Sequence, residues 1–130
     1  MRLDNCNALI TGASAGIGRE FARQLAGRAR TLVLVARREQ RLNELRDELP
    51  KTNTQLSVHV RAVDLCEKSQ IDELVRWLEQ NKIDIDFLIN NAGVGDTGPF
   101  ATSPPRRNHE MLQVNIVALT TLTRALLPRM

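Results

Sequence analysis

The chain has 130 residues, of which 42% are hydrophobic and 25% are charged, and its formal net charge is +3 at pH 7. That length suits one compact domain, so we expect residues 1–130 to form a single unit. No segment approaches the roughly 20 apolar residues of a membrane span, and dispersed arginines with only 3% aromatic residues do not predict a nucleic-acid surface.

The first half of the chain alternates between strand and helix patterns. Residues 7–10 form an apolar run that leads into a glycine-rich turn, and residues 16–26 then place apolar side chains at helical spacing. The continuous apolar run 31–35 predicts a second strand covered on both faces. Leucines within residues 38–49 predict a second helix, which we expect Pro50 to end.

The second half continues this alternation. Its predicted elements are a strand over 56–63, a helix with an apolar stripe over 71–78, a strand over 87–90, a loop over 93–105 and a helix over 108–127. We expect Ser69 to cap the first of these helices. The order predicts an α/β fold: a doubly wound parallel sheet of about four strands, with right-handed crossovers and helices on both faces. Such sheets bind ligands at the switch point beside the first strand, where the glycine turn lies.

The glycine turn is the first motif that indicates chemistry. Residues 11–18 read Thr-Gly-Ala-Ser-Ala-Gly-Ile-Gly, a T-G-x-x-x-G-x-G spacing. Such a turn leaves backbone amides free at a helix amino end, where the helix dipole favours an anion such as a pyrophosphate. The spacing differs from the usual G-x-G-x-x-G fingerprint, so a tight strand-to-helix connection without a ligand stays open.

The end of the second strand indicates which dinucleotide would bind. It reads Ala36-Arg37-Arg38, with no carboxylate to accept from the ribose hydroxyls of NAD(H) and two guanidinium groups suited to a 2′-phosphate. This pattern favours NADP(H). Solvated arginines at the start of a surface helix are the alternative interpretation.

The two cysteines indicate neither a disulfide framework nor a metal site. Cys6 and Cys66 are far apart and form no C-x-x-C motif, so we expect free thiols in a reducing, cytoplasmic setting. Cys66 and His59 alone are too few for a ligand set, and we predict no metal.

Four features occur together along the chain: the T-G-x-x-x-G-I-G turn, Asp64 after the third strand, Asn90-Asn91-Ala92-Gly93 after the fourth, and Asn115 in the last helix. With this order and spacing, essentially the whole chain resembles the NADP-preferring classical short-chain dehydrogenases/reductases. The resemblance implies a Rossmann-type fold and hydride transfer between a nicotinamide cofactor and an alcohol or carbonyl substrate.

The resemblance also implies a set of cofactor-binding residues. They are Gly12, Ser14, Ala15, Gly16, Ile17, Gly18, Arg37, Arg38, Asp64, Leu65, Asn91, Ala92 and Gly93. In the family's pattern the glycines shape the pyrophosphate turn, Ser14 and Arg37 contact the 2′-phosphate, and Asp64 contacts the adenine. An aspartate that caps its own loop is the alternative for Asp64.

Asn115 is the catalytic residue that the resemblance implies, since in the family it holds a water of the proton relay. Its helical pattern alone would indicate a packing asparagine. The family's serine and its Tyr-x-x-x-Lys motif lie beyond this helix, and the chain contains no tyrosine. We assign no catalytic role to Ser103, and we expect this truncated chain to turn over little or no substrate, because a positioned proton donor contributes about 10²- to 10⁴-fold.

Other functions and assemblies remain open at this point. The same fold could serve as a non-catalytic nucleotide-binding or regulatory module, and a nucleic-acid binder is a third, more distant alternative. The expected partner is a small alcohol or carbonyl substrate, with no nucleic acid and no membrane. We also expect a homo-oligomer, because the edge of the fourth strand and one helix face would be uncovered.

Overall fold

The fold is known from a computed structural model that describes residues 3–49, 51 and 53–130. Its strands are β1 (Asn7–Thr11), β2 (Thr31–Ala36), β3 (Ser57–Ala62) and β4 (Phe87–Ile89). They form one parallel sheet in the order β3-β2-β1-β4. The chain therefore adds β2 and β3 on one side of β1 and β4 on the other side, while all four strands stay parallel. This order confirms the predicted doubly wound sheet with its switch point beside the first strand.

Within the described ranges, five α-helices connect and follow the strands. They are α1 (Gly16–Ala26), α2 (Glu39–Glu48), α3 (Lys68–Gln80), α4 (Pro105–Leu112) and α5 (Leu119–Leu126). A π-helical segment, Gln113–Ala118, joins α4 to α5 without a break, and short 3₁₀ helices lie at Phe100–Thr102 and Leu127–Arg129. Pro50, which was predicted to end α2, lies outside the described residues.

Two apolar layers cover the two faces of the sheet. On one face α1 and α2 pack against alternate strand residues such as Ile10 and Leu34. On the other face α3 and α5 pack against the intervening residues, such as Leu9 and Val33. Every residue of β1 and β2 is buried, which explains why these two strands read as continuous apolar runs.

Two helix starts differ from the prediction. α3 begins at Lys68 with Glu67 as its N-cap residue and no side-chain cap, so Ser69 lies inside the first turn and the predicted cap is wrong. The last helix begins at Pro105 rather than at residue 108. Proline suits that first position because its missing N–H would have no partner inside the helix.

The continuous helix Pro105–Arg129 is long and apolar enough to cross a membrane when only length and composition are considered. Its most apolar window has a mean hydropathy of 1.2 and is 22% buried. One face, formed by Val114, Ala118, Leu122 and Leu126, belongs to the core. The expectation that no segment reaches the required apolar length therefore does not hold for this helix, although its inner face packs as a core helix does.

Candidate functional site

The glycine turn 11–18 requires its glycines for two different reasons. Gly12 has a φ of +67° and Gly16 a φ of +53°, both in the left-handed region that side chains disfavour. Gly18 is needed for space, since a Cβ there would lie 2.5 Å from the carbonyl oxygen of Gly12. A Cβ on Gly16 would meet no protein atom within 4 Å and would enter the cleft that this residue lines.

The amino end of α1 is available to an anion. Its N-cap residue, Ala15, forms no side-chain cap, and the first turn contains no acidic residue. The first amides of a helix have no acceptor within the helix, and they lie at the positive end of its dipole. A pyrophosphate fits this donor set because its oxygens can accept from several N–H groups at once.

The side chains of Thr11 and Asn91 tie the end of β1 to the segment that follows β4. Thr11 Oγ1 accepts hydrogen bonds from the backbone N–H groups of Asn91 and Ala92, each at 3.0 Å. Asn91 Nδ2 donates to the carbonyl oxygens of Thr11 at 3.0 Å and Gly12 at 3.3 Å. Thr11 is only 2% exposed, and these bonds are partly buried. They hold the Asn-Ala-Gly segment against the glycine turn.

Two guanidinium groups follow β2 at the same end of the sheet. Arg38 Nη2 donates to Ser14 Oγ at 3.4 Å, which brings the end of β2 to the glycine turn. Within the described part of the chain, neither Arg37 nor Arg38 forms an ion pair with a carboxylate. Both positive charges therefore remain available to a phosphate.

Asp64 follows β3 and has two roles in the structure. Its Oδ1 accepts a hydrogen bond from the N–H of Cys66 at 2.9 Å, so it caps its own loop as the alternative interpretation proposed. It also lines the cleft beside Leu65 and Cys66. Burial raises the pKa of the Cys66 thiol, and the carboxylates of Asp64 and Glu110 raise it further. The thiol is therefore held in its protonated, less reactive form.

Asn115 lies in the π-helical segment and does not line the cleft. Its Nδ2 donates to the carbonyl oxygen of Val94 and its Oδ1 accepts from the N–H of Val94, both at 2.9 Å. The side chain thus anchors the loop after β4. The neighbouring Asn90 donates to Thr123 Oγ1 on α5 at 3.0 Å, which is a packing contact.

These elements enclose a cleft of about 370 Å³ at the carboxyl ends of the strands. It brings together twelve of the thirteen predicted cofactor residues, all except Gly18, which lies behind the turn. Its wall also contains residues that were not predicted: Ala36, Val63, Cys66, Val94, Glu110 and Val114. Glu110 and Val114 are four residues apart on one helix face, a spacing that indicates only that they are neighbours. Among the residues that the structure describes, no group of three or more His, Cys, Asp or Glu could hold a metal ion.

Comparison with known sequences gives a consistent family match. A family model described as short chain dehydrogenase matches residues 6–130. A very-long-chain 3-oxoacyl-CoA reductase from Phaeosphaeria nodorum is 33% identical over 126 residues, which are 95% of this chain and 37% of that protein. Sulfoacetaldehyde reductase from Chromohalobacter salexigens is 35% identical over 120 residues, 92% of this chain and 46% of that protein. The chain therefore spans less than half the length of these two relatives.

Solved structures show the same fold. A short-chain dehydrogenase from Sphingobium yanoikuyae in complex with NADPH has a TM-score of 0.85 and 35% identity, covering 95% of this chain and 48% of that one. L-Sorbose reductase from Gluconobacter frateurii, complexed with NADPH and L-sorbose, has a TM-score of 0.87 and 31% identity, covering 98% of this chain and 48% of that one.

Proposed function

Because this chain belongs to the short-chain dehydrogenase family, we propose that it is the NADP(H)-binding part of an oxidoreductase. The whole enzyme would transfer hydride between the nicotinamide and an alcohol or carbonyl substrate. One observation carries the proposal: a single cleft joins an uncapped helix amino end to two guanidinium groups that have no carboxylate partner among the described residues. The NADPH complexes of two similar structures support the choice of cofactor.

Each part of the cleft suits one part of NADP(H). The turn around Gly12 and Gly16 would hold the pyrophosphate through backbone N–H groups. Arg37 and Arg38, with the Ser14 hydroxyl, would bind the 2′-phosphate, where a guanidinium can form two parallel hydrogen bonds. The cofactor would supply the hydride.

The base and ribose would lie at the other wall of the cleft. Asp64 retains acceptor capacity beyond its bond to Cys66, and Leu65 offers an apolar contact to a base. The small residues Ala92 and Gly93 would let the backbone approach the adenosine closely. Gly18 would act indirectly, because it lets the turn close against Asn91.

We propose Asn115 as a residue that helps to place the relay water of the complete enzyme. The Asn115 side chain is hydrogen-bonded to Val94, so a relay water would donate its hydrogen bond to the backbone carbonyl oxygen of Asn115 instead. Asn115 lies in the π-helical segment, and such segments are frequent at functional sites. The chain contains no tyrosine to act as the proton donor. We therefore expect NADPH binding by this chain without carbonyl reduction, and robust NADPH-dependent reduction of a ketone or aldehyde by it would contradict this.

The test of the cofactor assignment is Arg37→Asp. The substitution places a carboxylate beside the 2′-phosphate position, so NADPH affinity should fall by about 10- to 100-fold relative to NADH affinity. The matched control is Arg41→Asp, which makes the same charge change on the exposed surface of α2 outside the cleft. An NADPH-to-NADH affinity ratio that changes equally in both variants would contradict the assignment.

A non-catalytic nucleotide-binding module would use the same cleft and would show the same ratio. The two functions differ in whether they need a further segment. Only the catalytic role needs a Tyr-x-x-x-Lys segment beside Asn115. Supplying that segment, as the carboxyl-terminal half of a similar dehydrogenase, should restore turnover only if the chain is part of an enzyme.

We also propose self-association and a cytoplasmic setting. The outer side of the last helix carries four exposed apolar residues: Leu112 (55% exposed), Ile116 (56%), Leu119 (39%) and Leu127 (61%). An apolar face of this kind is typical of an interface. Two free cysteines suit a reducing compartment. A strictly monomeric species in sedimentation at micromolar concentrations would contradict self-association.

A further inference from the structure

Glu110 is a charged residue of the cleft wall that has no role in the proposed binding of the pyrophosphate by the glycine turn or of the 2′-phosphate by Arg37 and Arg38. It lies on α4, and it lines the same cleft as Asp64, Leu65 and Cys66. Its negative charge is one of the lesser causes that raise the pKa of the Cys66 thiol, after burial and Asp64.

The Glu110 side chain is held in place from one side. Arg106 Nε donates to Oε1 at 3.2 Å, and Arg107 Nη1 donates to Oε2 at 3.2 Å. Arg107 Nη2 also donates to the carbonyl oxygen of Gly95 at 2.7 Å, so the pair is fastened to the loop after β4. A carboxylate has about four acceptor sites, and the described residues use two of those on Glu110. The other acceptor sites could accept a hydrogen bond from a ligand in the cleft that Glu110 lines.

We propose that Glu110 is a specificity-determining residue that accepts a hydrogen bond from the exocyclic amine of the adenine base. The inference rests on the proposed function, because it assumes that NADP(H) binds with its base beside Asp64 and Leu65. An amine at the purine C6 position donates to a carboxylate, whereas a carbonyl oxygen at that position would face it as a second acceptor. The residue would therefore select a 6-amino purine over a 6-oxo purine.

The two arginines make this position compatible with a phosphate-bearing ligand. An unpaired carboxylate in the cleft would repel the 2′-phosphate and the pyrophosphate. Arg106 and Arg107 offset the charge of Glu110 and leave its lone pairs in place.

The experiment compares two ligands that differ only at the base. The unmodified chain, Glu110→Ala and the control Glu73→Ala are each titrated with NADPH and with its 6-deamino analogue, reduced nicotinamide hypoxanthine dinucleotide phosphate. Glu73 is an exposed acidic residue on α3 that does not line the cleft. Because both ligands carry the same phosphates, the ratio of the two dissociation constants cancels any change in phosphate binding caused by the freed arginines.

We expect the unmodified chain and Glu73→Ala to bind NADPH about tenfold more tightly than the analogue, as for one hydrogen bond to a charged acceptor. Glu110→Ala should lower that ratio to about one to threefold. Glu110→Gln, which keeps the shape of the side chain, should also lower it and guards against an unfolded alanine variant. An unchanged ratio in both Glu110 variants, with NADPH still bound, overturns this assignment and leaves the proposed function standing. Absence of NADPH binding by the unmodified chain overturns both.

Discussion

Replacing Gly18 by alanine tests whether the glycine turn is built as the structure shows. A Cβ on this residue would lie 2.5 Å from the carbonyl oxygen of Gly12 and 2.9 Å from its carbonyl carbon, and it would also collide with Asn91 Nδ2. Ordinary contact begins near 3.4 Å, so the Gly12 backbone would have to retreat by about 0.9 Å. Backbone atoms cannot rotate away as the end of a flexible side chain can.

That displacement has a predictable cost. Moving Gly12 and Asn91 apart would weaken the two hydrogen bonds that Asn91 Nδ2 donates to Thr11 and Gly12. We expect Gly18→Ala to lower the free energy of unfolding by about 1–3 kcal/mol, as overpacking of a filled site does. NADPH affinity should fall as well, since the turn would no longer present its amides in the same arrangement.

The assay is urea denaturation, followed by far-ultraviolet circular dichroism and by the emission of Trp77, the single tryptophan of the chain. Gly27→Ala is the matched control, because Gly27 has a φ of −73° and a Cβ there meets nothing within 4 Å. The control should be neutral or stabilised by up to about 1 kcal/mol. If Gly18→Ala were as stable as Gly27→Ala, the close packing of the turn against Asn91 would be refuted.

Two further substitutions test the surroundings of the site. Thr11→Val keeps the shape of the side chain but leaves the N–H groups of Asn91 and Ala92 without their acceptor. In urea denaturation it should lower the free energy of unfolding by about 2–4 kcal/mol. The control Thr120→Val, on the exposed helix surface, should have little effect. Hydrogen bonds from Arg19 and Arg23 hold the pKa of the Glu48 carboxyl below its usual value. The resulting stabilisation is present above about pH 4.3, the usual pKa of glutamate, and is lost as the pH falls through the lowered pKa of the folded state. Glu48→Gln should therefore be less stable than the unmodified chain at pH 7, and this difference should shrink in melts below pH 4; a difference independent of pH would contradict the ion-pair origin.

The sheet could be predicted from the sequence because its central strands leave a clear pattern. β1 and β2 are buried on both faces, so residues 8–10 and 32–36 appear as uninterrupted apolar runs, each followed by a helical segment. The residues at which the helices begin were harder to predict from the sequence. The start of α3 depends on the backbone geometry of Glu67 rather than on a capping side chain, and no local pattern reveals this.

The site could be predicted only where its residues belong to local motifs. The three glycines of the turn look equivalent in the sequence, but the role of Gly18 depends on Asn91, which lies far along the chain. Glu110 and Val114 were missed because they enter the cleft only through the packing of the last helix. The helical pattern around Asn115 indicates a packing asparagine, but its partner could not be predicted, because Val94 lies in a loop 21 residues earlier in the chain.

The most direct test of the central claim is a fluorescence titration of the unmodified chain with NADPH and, in parallel, with NADH. We predict saturable binding of NADPH that is at least about tenfold tighter than that of NADH, since only NADPH carries the 2′-phosphate that Arg37 and Arg38 would bind. Equal affinity for the two cofactors, or no binding of either, would contradict the claim that this cleft is an NADP(H) site.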